Sequence, residues 1–334
     1  MKITMYLFFI GILSLFGCGD VVDFIYNKDI PCARIVVYAF IEGDSLVRAE
    51  INSSQIYGKS SEDNSSHPFR VSANVNGEYA EELTHEKDNL YTSTITRPRQ
   101  GDKVSISVSC PEFPSVYAET CVEKTFALIS VDTATCFNPI TMDQDLKLSI
   151  RLDDDGIQTN YYQLIVEKQL HYFSQVLDSQ TQVCKEYQDT CIYSYDFFCD
   201  SEPLLQEIVT NLLGEEKNNN PYHLFTNRQF SGKTRLLEIS LPYPRSGETR
   251  SIVNTSEGQH ISIISKHYTL RIKILKLDAA LFSYFRTLGL YGQPAFYGEP
   301  QQVYSNVEAG LGVVGSFFTR EVVIDFPISF SGSK

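Results

Sequence analysis

Apolar and polar residues alternate in short runs along most of this chain, and a two-residue period is typical of β-strands. Arg34–Ile41 is the most apolar of the early runs, and Asn76-Gly77 is a preferred sequence for a tight hairpin turn. Further strands are predicted over Leu46–Ile51, Phe69–Val75, Leu90–Ile95, Lys103–Ser109 and Val116–Val122. Strands at this spacing, with no helix between them, predict an immunoglobulin-like β-sandwich over residues 32–125.

Residues 126–334 are predicted to form a second, β-rich domain. Its strands are expected over Leu146–Leu152, Tyr161–Glu167, Arg235–Ser240, Ile261–Lys276, Gly312–Phe318 and Glu321–Phe326. Two short helices are expected as well, Pro203–Leu213 after a Ser201 cap and Asp278–Leu288 with Asp278 as its cap. The predicted fold class is therefore mainly β, with a sandwich followed by a β-rich domain that carries two helices.

The amino terminus has the pattern of an export signal. Lys2 is followed by the apolar run Met5–Phe16, which is shorter than the roughly 20 residues that a transmembrane helix needs. The run ends at Gly17-Cys18, and this pattern resembles a bacterial lipoprotein signal. The resemblance implies that residues 1–17 are removed, that Cys18 is acylated, and that residues 18–31 are a tether. An ordinary secretory signal with an incidental cysteine is the alternative.

The charge of the chain argues against two classes of partner. Its formal net charge is −13, and removal of Lys2 with the signal makes it one unit more negative. Such a chain is not attracted to nucleic acid or to an anionic lipid surface. Attachment to the outer membrane would therefore depend on the acyl chains at Cys18.

Cysteine usage predicts disulfides, because the chain is exported and contains eight cysteines. Acylation of Cys18 leaves seven, so at least one thiol is free or pairs with another chain. The candidate pairs are Cys191 with Cys184 or Cys199, and Cys110 with Cys121, for which Cys32 competes.

No metal, cofactor or catalytic site is predicted. Asp153-Asp154-Asp155-Gly156 lacks the ligand pattern of a calcium loop, which favours a solvated hairpin between two strands. The six histidines are scattered singly, and no Cys-x-x-Cys pair, Gly-x-Ser-x-Gly elbow or zinc-protease helix occurs.

Three stretches, read together with Cys18, carry a family resemblance. They are RIVVYAFIEGDS at 34–45, LFTNRQFSGK at 224–233 and EPQQVYSNVEAGLGVVG at 299–315. The chain resembles an uncharacterised family of Bacteroidetes-type lipoproteins known as a domain of unknown function. Two positions depart from the family pattern: Asn227, where aspartate is usual, and Ala309, where glycine is usual. The first departure argues against a ligand role for position 227.

The resemblance implies an accessory protein of TonB-dependent outer-membrane receptors, acting in nutrient capture or receptor docking. It supplies no catalytic residues, so we expect a non-enzymatic protein on either face of the outer membrane. Two alternatives stay open. An envelope hydrolase acting on glycans would need a pocket with convergent carboxylates, and a structural or adhesive surface protein would need no receptor.

Recognition is expected on the second domain, near Leu224–Lys233 and Tyr291–Glu299. Both segments combine aromatic residues with glycine and polar groups, as adaptable recognition loops do. Phe225 and Phe296 are expected in the core, whereas the candidate binding residues are Arg228, Tyr291 and Tyr297. The closing glycines, Gly310, Gly312 and Gly315, are expected to permit close packing rather than to contact a ligand.

Overall fold

The computed structural model of the chain describes residues 33–54, 69–178, 184–194, 197, 202–210, 216–218, 220–255, 258–291 and 302–326. The fold over these ranges is mainly β, as predicted, with four sheets and one α-helix. Cys18, the signal and the tether lie outside the described residues.

Nineteen strands and the helix follow one another in the described chain. They are β1 Ile35–Glu42, β2 Arg48–Ser53, β3 Arg70–Val75, β4 Glu78–Glu82, β5 Thr84–Lys87, β6 Leu90–Thr92, β7 Lys103–Cys110, β8 Phe113–Cys121, β9 Ala127–Asn138, β10 Asp143–Asp153, β11 Tyr161–Asp178, β12 Cys184–Ser194, β13 Ile208–Thr210, β14 Glu216–Asn218, β15 Leu224–Thr226, β16 Thr234–Pro242, β17 Gly247–Thr255, β18 Gly258–Leu277, α1 Ala279–Leu290 and β19 Leu311–Phe326.

The largest sheet joins the two ends of the described chain. Its strand order is β12-β11-β18-β19-β1-β2-β6-β5, with β15 and β17 paired to β11 and β18. The first strand lies parallel to the last, so that Val36 is opposite Leu311 and Glu42 is opposite Phe317. Residues on the two sides of the predicted domain boundary therefore share one sheet, and the boundary at residue 125 stays a prediction.

Two main hydrophobic cores lie on the large sheet. The first contains residues of β1 and β2 together with residues of the four-stranded sheet β4-β3-β7-β8, among them Val37 and Val104. The second joins β11 and β18 to the three-stranded sheet β16-β10-β9, for example through Leu164 and Leu148. Each core therefore contains side chains from two sheets, as a β-sandwich does, while an immunoglobulin-like strand order stays a prediction.

Local sequence accounts for the early strands and their turn. Burial alternates along β1, as its apolar period predicts. Asn76 and Gly77 connect β3 to β4 with φ angles of 54° and 84°, and both positive values fit the expected tight hairpin.

One of the two predicted helices is confirmed. Helix α1 begins where expected, and its Asp278 cap accepts a hydrogen bond from the Leu281 amide at 2.7 Å. The helix predicted over Pro203–Leu213 is wrong, because only a 3₁₀ turn at Pro203–Leu205 forms before strand β13. The β-branched run Ile208-Val209-Thr210 favours the strand over the helix.

Candidate functional site

A cleft of about 370 Å³ opens between α1 and two short segments that pack beside it. One segment is the Pro203–Leu205 turn with the residues after it, and the other is β15 with the 3₁₀ turn Asn227–Gln229. The residues lining the cleft include Tyr161, Glu207, Phe225, Arg228, Phe282 and Arg286.

The buried side chain of Asn220 holds two walls of this cleft together. Its Nδ2 donates to the carbonyl oxygens of Leu205 and Leu224, at 3.2 and 2.8 Å. Its Oδ1 accepts from the Leu224 amide at 2.8 Å. Because β15 also pairs with the start of β11, the segment that carries Arg228 is fixed to the large sheet.

Aromatic rings form the apolar part of the cleft. The rings of Tyr161 on β11 and Phe282 on α1 have centroids 4.6 Å apart. Phe225 is only 3% exposed and stacks on Tyr162 in the second core, with centroids 5.2 Å apart. The cleft therefore offers ring surfaces to the apolar part of a ligand.

Two arginines, Arg228 and Arg286, line the cleft together with a single carboxylate, that of Glu207. Arg286 donates to Glu207 at 2.9 Å. Arg228 is exposed on the wall, and within the described part of the chain its guanidinium makes no ion pair or hydrogen bond. A guanidinium has five donors in a planar fork, which suits a carboxylate or phosphate. The arrangement can thus bind an anionic group next to an apolar one.

The structure brings only some of the predicted recognition residues to this cleft. Arg228 lies on the wall, and Phe225 is buried as expected. Phe230 is 4% exposed and also belongs to the second core. Tyr291 is 60% exposed at the carboxyl end of α1 and does not line the cleft. Tyr297 and Phe296 lie outside the described residues.

Arg286 was missed by the sequence reasoning, although α1 carried a signal for it. In the helix AALFSYFRTLGL, Arg286 is the only charged residue. A single charge in an otherwise apolar helix needs a nearby partner or solvent. Its partner Glu207 had no distinguishing feature in the sequence.

A second cavity, of about 330 Å³, is lined by three successive aspartates, Asp153–Asp155, and by Lys276 and Arg320. The predicted solvated hairpin is wrong here, because β10 and β11 belong to different sheets and Asp154 is only 7% exposed. The Asp154 carboxylate accepts hydrogen bonds from five groups, at distances of 2.8–3.2 Å. The donors are the side chains of Asn160, Tyr162 and Asn227 and the backbone amides of Gly156 and Gly232.

These contacts set the ionisation of Asp154 and explain Asn227. Burial alone would raise the pKa of the Asp154 carboxyl, but the hydrogen bonds that it accepts outweigh burial, so its pKa is lowered. Asn227 is 1% exposed and donates to both carboxylate oxygens at 3.0 Å. It braces the carboxylate, which agrees with the argument against a ligand role at this position.

The two predicted disulfide pairs whose cysteines both lie in the described ranges, Cys110 with Cys121 and Cys184 with Cys191, are not brought together. Cys110 and Cys121 lie at opposite ends of the β7–β8 hairpin, since Cys110 faces Phe113 and Cys121 faces Lys103, and both thiols are free. Cys184 and Cys191 lie on one strand, about 23 Å apart at the usual rise per residue, and Cys191 is free. Such pairs are too distant for a disulfide. Cys199 and Cys32 lie outside the described residues.

The described residues contain neither a membrane-spanning helix nor a cluster of metal ligands. No helix there is long and apolar enough to cross a membrane. No group of three or more histidine, cysteine, aspartate or glutamate side chains there could hold a metal ion.

Comparison with known proteins gives a family but no activity. No curated protein matches this chain. One family model, described as Domain of unknown function (DUF4249), matches residues 23–321, which is most of the chain and includes the cleft and both cores except Phe326. The chain therefore belongs to the DUF4249 family.

Proposed function

We propose that this protein is a lipid-anchored, non-enzymatic protein of the outer membrane that captures a small anionic ligand in the Arg228 cleft. The observation that carries the proposal is the guanidinium of Arg228, which lines the same cleft as the aromatic rings of Tyr161 and Phe282, while the other arginine of the cleft is already matched by Glu207. A ligand with a carboxylate or phosphate and an apolar part would complete this arrangement.

Capture is favoured over the hydrolase alternative by the state of the carboxylates. A glycosidase needs a carboxyl group that stays protonated near neutral pH. In the second cavity the pKa of Asp154 is moved in the opposite direction. Burial does raise the pKa values of Glu123 and Asp278, but neither residue lines the cavity. Glu123 is ion-paired to Lys276 at 3.5 Å, and Asp278 caps α1.

The cleft is tested by replacing Arg228 with glutamine. Small aromatic carboxylates such as phenylacetate are the probes, each compared with its neutral amide. We expect the carboxylates, but not the amides, to raise the melting temperature of the wild type, because only the charged form can use the guanidinium fork. Arg228→Gln should weaken carboxylate binding about 10-fold or more, a typical loss for one charge-assisted pair, with the melting temperature of the free protein unchanged.

The matched control is Arg70→Gln, which removes an exposed arginine on β3 that pairs with Glu82. This variant should bind the carboxylates as the wild type does. Equal binding of carboxylate and amide, or a wild type that binds no carboxylate, would contradict anion capture. A lower melting temperature of free Arg228→Gln would show a structural role instead.

Anchoring and receptor docking complete the proposal. They rest on the lipoprotein pattern at Cys18 and on what the sequence resemblance implies. In cells grown with labelled palmitate, we expect the wild type to carry the label and to be attached to the membrane. We also expect it to co-purify with a TonB-dependent receptor. Cys18→Ser should lose label and attachment while remaining folded, because both cores lie beyond residue 33. Unchanged labelling would refute the anchor, and a wild type that co-purifies with no receptor would refute docking.

A further inference from the structure

Two histidines face each other on the part of the large sheet that extends past the second core. His171 on β11 is directly opposite His267 on β18, and their ring centroids are 5.6 Å apart. Both side chains are half-buried. Neither histidine belongs to a core or lines the Arg228 cleft. The pair is therefore not explained by the fold or by the proposed capture site.

The spacing of the two rings suits a shared metal ion. Zinc–imidazole bonds are about 2.1 Å long, and two imidazoles on one tetrahedral ion have their centroids about 5 Å apart. The observed separation exceeds this value by a few tenths of an ångström, and the two rings lie at 26° to each other, so each ring must also rotate to turn its lone pair towards a shared ion. Because the two residues are paired in a long antiparallel ladder, their backbones are held in place before any ion binds.

A neighbouring hydroxyl orients one of the rings. Thr190 on β12 is opposite His171, and its Oγ1 lies 3.3 Å from Nδ1 of that histidine. When Nδ1 carries the proton and donates it to this hydroxyl, Nε2 is left with its lone pair for an ion. Metal-bound histidines commonly use their second nitrogen in this way.

The charge around the pair favours a cation. Asp325 lies on the same face, one row along the sheet, where it accepts a hydrogen bond from Thr269 at 3.1 Å. Diagonal positions on a sheet are close enough for its charge to act on His267. The chain as a whole is also strongly acidic.

We propose that His171 and His267 form a two-histidine chelate for a divalent transition metal such as Zn²⁺, Ni²⁺ or Cu²⁺. Water would occupy the remaining ligand positions, since no third histidine, cysteine or carboxylate among the described residues completes a cluster. Imidazole suits these three ions, and Cu²⁺ is bound most tightly of them by the general order of affinities.

Calorimetric titration of the full mature protein with Ni²⁺ tests the chelate. Ni²⁺ is the probe because imidazole binds it well, and the thiols are the same in every protein compared. The wild type should bind one equivalent of Ni²⁺. Each of the variants His171→Gln and His267→Gln should bind this ion at least 10-fold more weakly. The double variant should be no weaker than either single variant, because one lost ligand already breaks the chelate.

His85→Gln is the matched control, since His85 is another strand histidine whose ring contacts an aromatic ring, that of Tyr91, with centroids 5.1 Å apart. His85→Gln should bind Ni²⁺ as tightly as the wild type does. The circular dichroism spectra of all the variants should match that of the wild type. Electron paramagnetic resonance of the Cu²⁺-loaded wild type should show coupling to two imidazole nitrogens. Independent, additive losses from the two histidines, an equal loss in His85→Gln, or coupling to fewer than two nitrogens would overturn the proposal.

Discussion

Replacing Gly312 with alanine is expected to lower the free energy of unfolding by about 3 kcal/mol or more, one of the largest effects open to a single methyl group. Gly312 has a φ of +103° and lies opposite Val37 where the first strand meets the last. An added Cβ would overlap the carbonyl oxygen of Val37 and lie 2.8 Å from its carbonyl carbon. Both atoms are backbone, so relief requires the parallel β1–β19 pairing to separate.

Two other glycines separate the causes of this effect. Gly77 has a φ of +84° with nothing within 4 Å of an added Cβ, so Gly77→Ala should cost only the conformational strain, about 1 kcal/mol. Gly247 has open space and no positive φ, so Gly247→Ala should be close to neutral. Urea unfolding followed by circular dichroism gives all three values. A Gly312→Ala variant no less stable than Gly77→Ala would contradict the steric argument.

The closing glycines illustrate what sequence could predict. Their role in close packing was expected, and an added Cβ at Gly310 would lie 2.8 Å from the carbonyl oxygen of Ile35. At Gly315 it would overlap Leu281 of α1. The partners themselves were not predictable, because Ile35 and Val37 are 275 residues away from Gly310 and Gly312 in the chain, and the parallel pairing of β1 with β19 has no local signal.

Local patterns succeeded where one short-range rule decided the structure. The Asn76-Gly77 turn and the Asp278 cap each depend on neighbouring residues alone. The helix predicted from Pro203 failed because the β-branched run at 208–210 favours a strand, and its actual cap depends on a distant partner. Glu202, 1% exposed, is held by Arg235 at 2.7 Å, which belongs to β16. Its carboxylate caps only a single 3₁₀ turn before the chain turns extended.

The candidate site was predictable only in part, for the same reason. A composition argument pointed to the segment containing Arg228, because aromatic residues, polar groups and glycine occur together there. It could not identify the opposite wall, since Phe282 and Arg286 approach Arg228 only after α1 packs on the large sheet. It also assigned Asp154 to solvent, because a run of aspartates before a glycine has the local pattern of a turn.

Replacing Asp154 with asparagine is expected to destabilise the protein by about 2–4 kcal/mol, although the two side chains have nearly the same shape. Every group that contacts the carboxylate is a hydrogen-bond donor. An amide would turn its own two N–H donors either towards Gly156 and Gly232 or towards Asn160 and Asn227. In both orientations buried donors face donors, and at least one is left without an acceptor.

The acid dependence of stability provides a second readout of the same residue. The pKa of Asp154 is lower in the folded protein than in the unfolded chain, where it is about 3.9. Its stabilising contribution is therefore fully present above the unfolded value and is lost as the pH falls through the folded value. In Asp154→Asn this part of the acid-induced loss should disappear, so the stability curves of variant and wild type should converge towards low pH.

Asp155→Asn is the matched control, because Asp155 is the adjacent aspartate and is exposed. Among the described residues, it accepts hydrogen bonds only from the Ile157 amide at 3.1 Å and from Asn160 at 3.3 Å. This substitution should lower the free energy of unfolding by less than about 1 kcal/mol. Urea unfolding between neutral and acid pH measures both variants. If Asp154→Asn were as stable as Asp155→Asn at neutral pH, the buried carboxylate would not organise this junction between β10, β11 and the Asn227 turn.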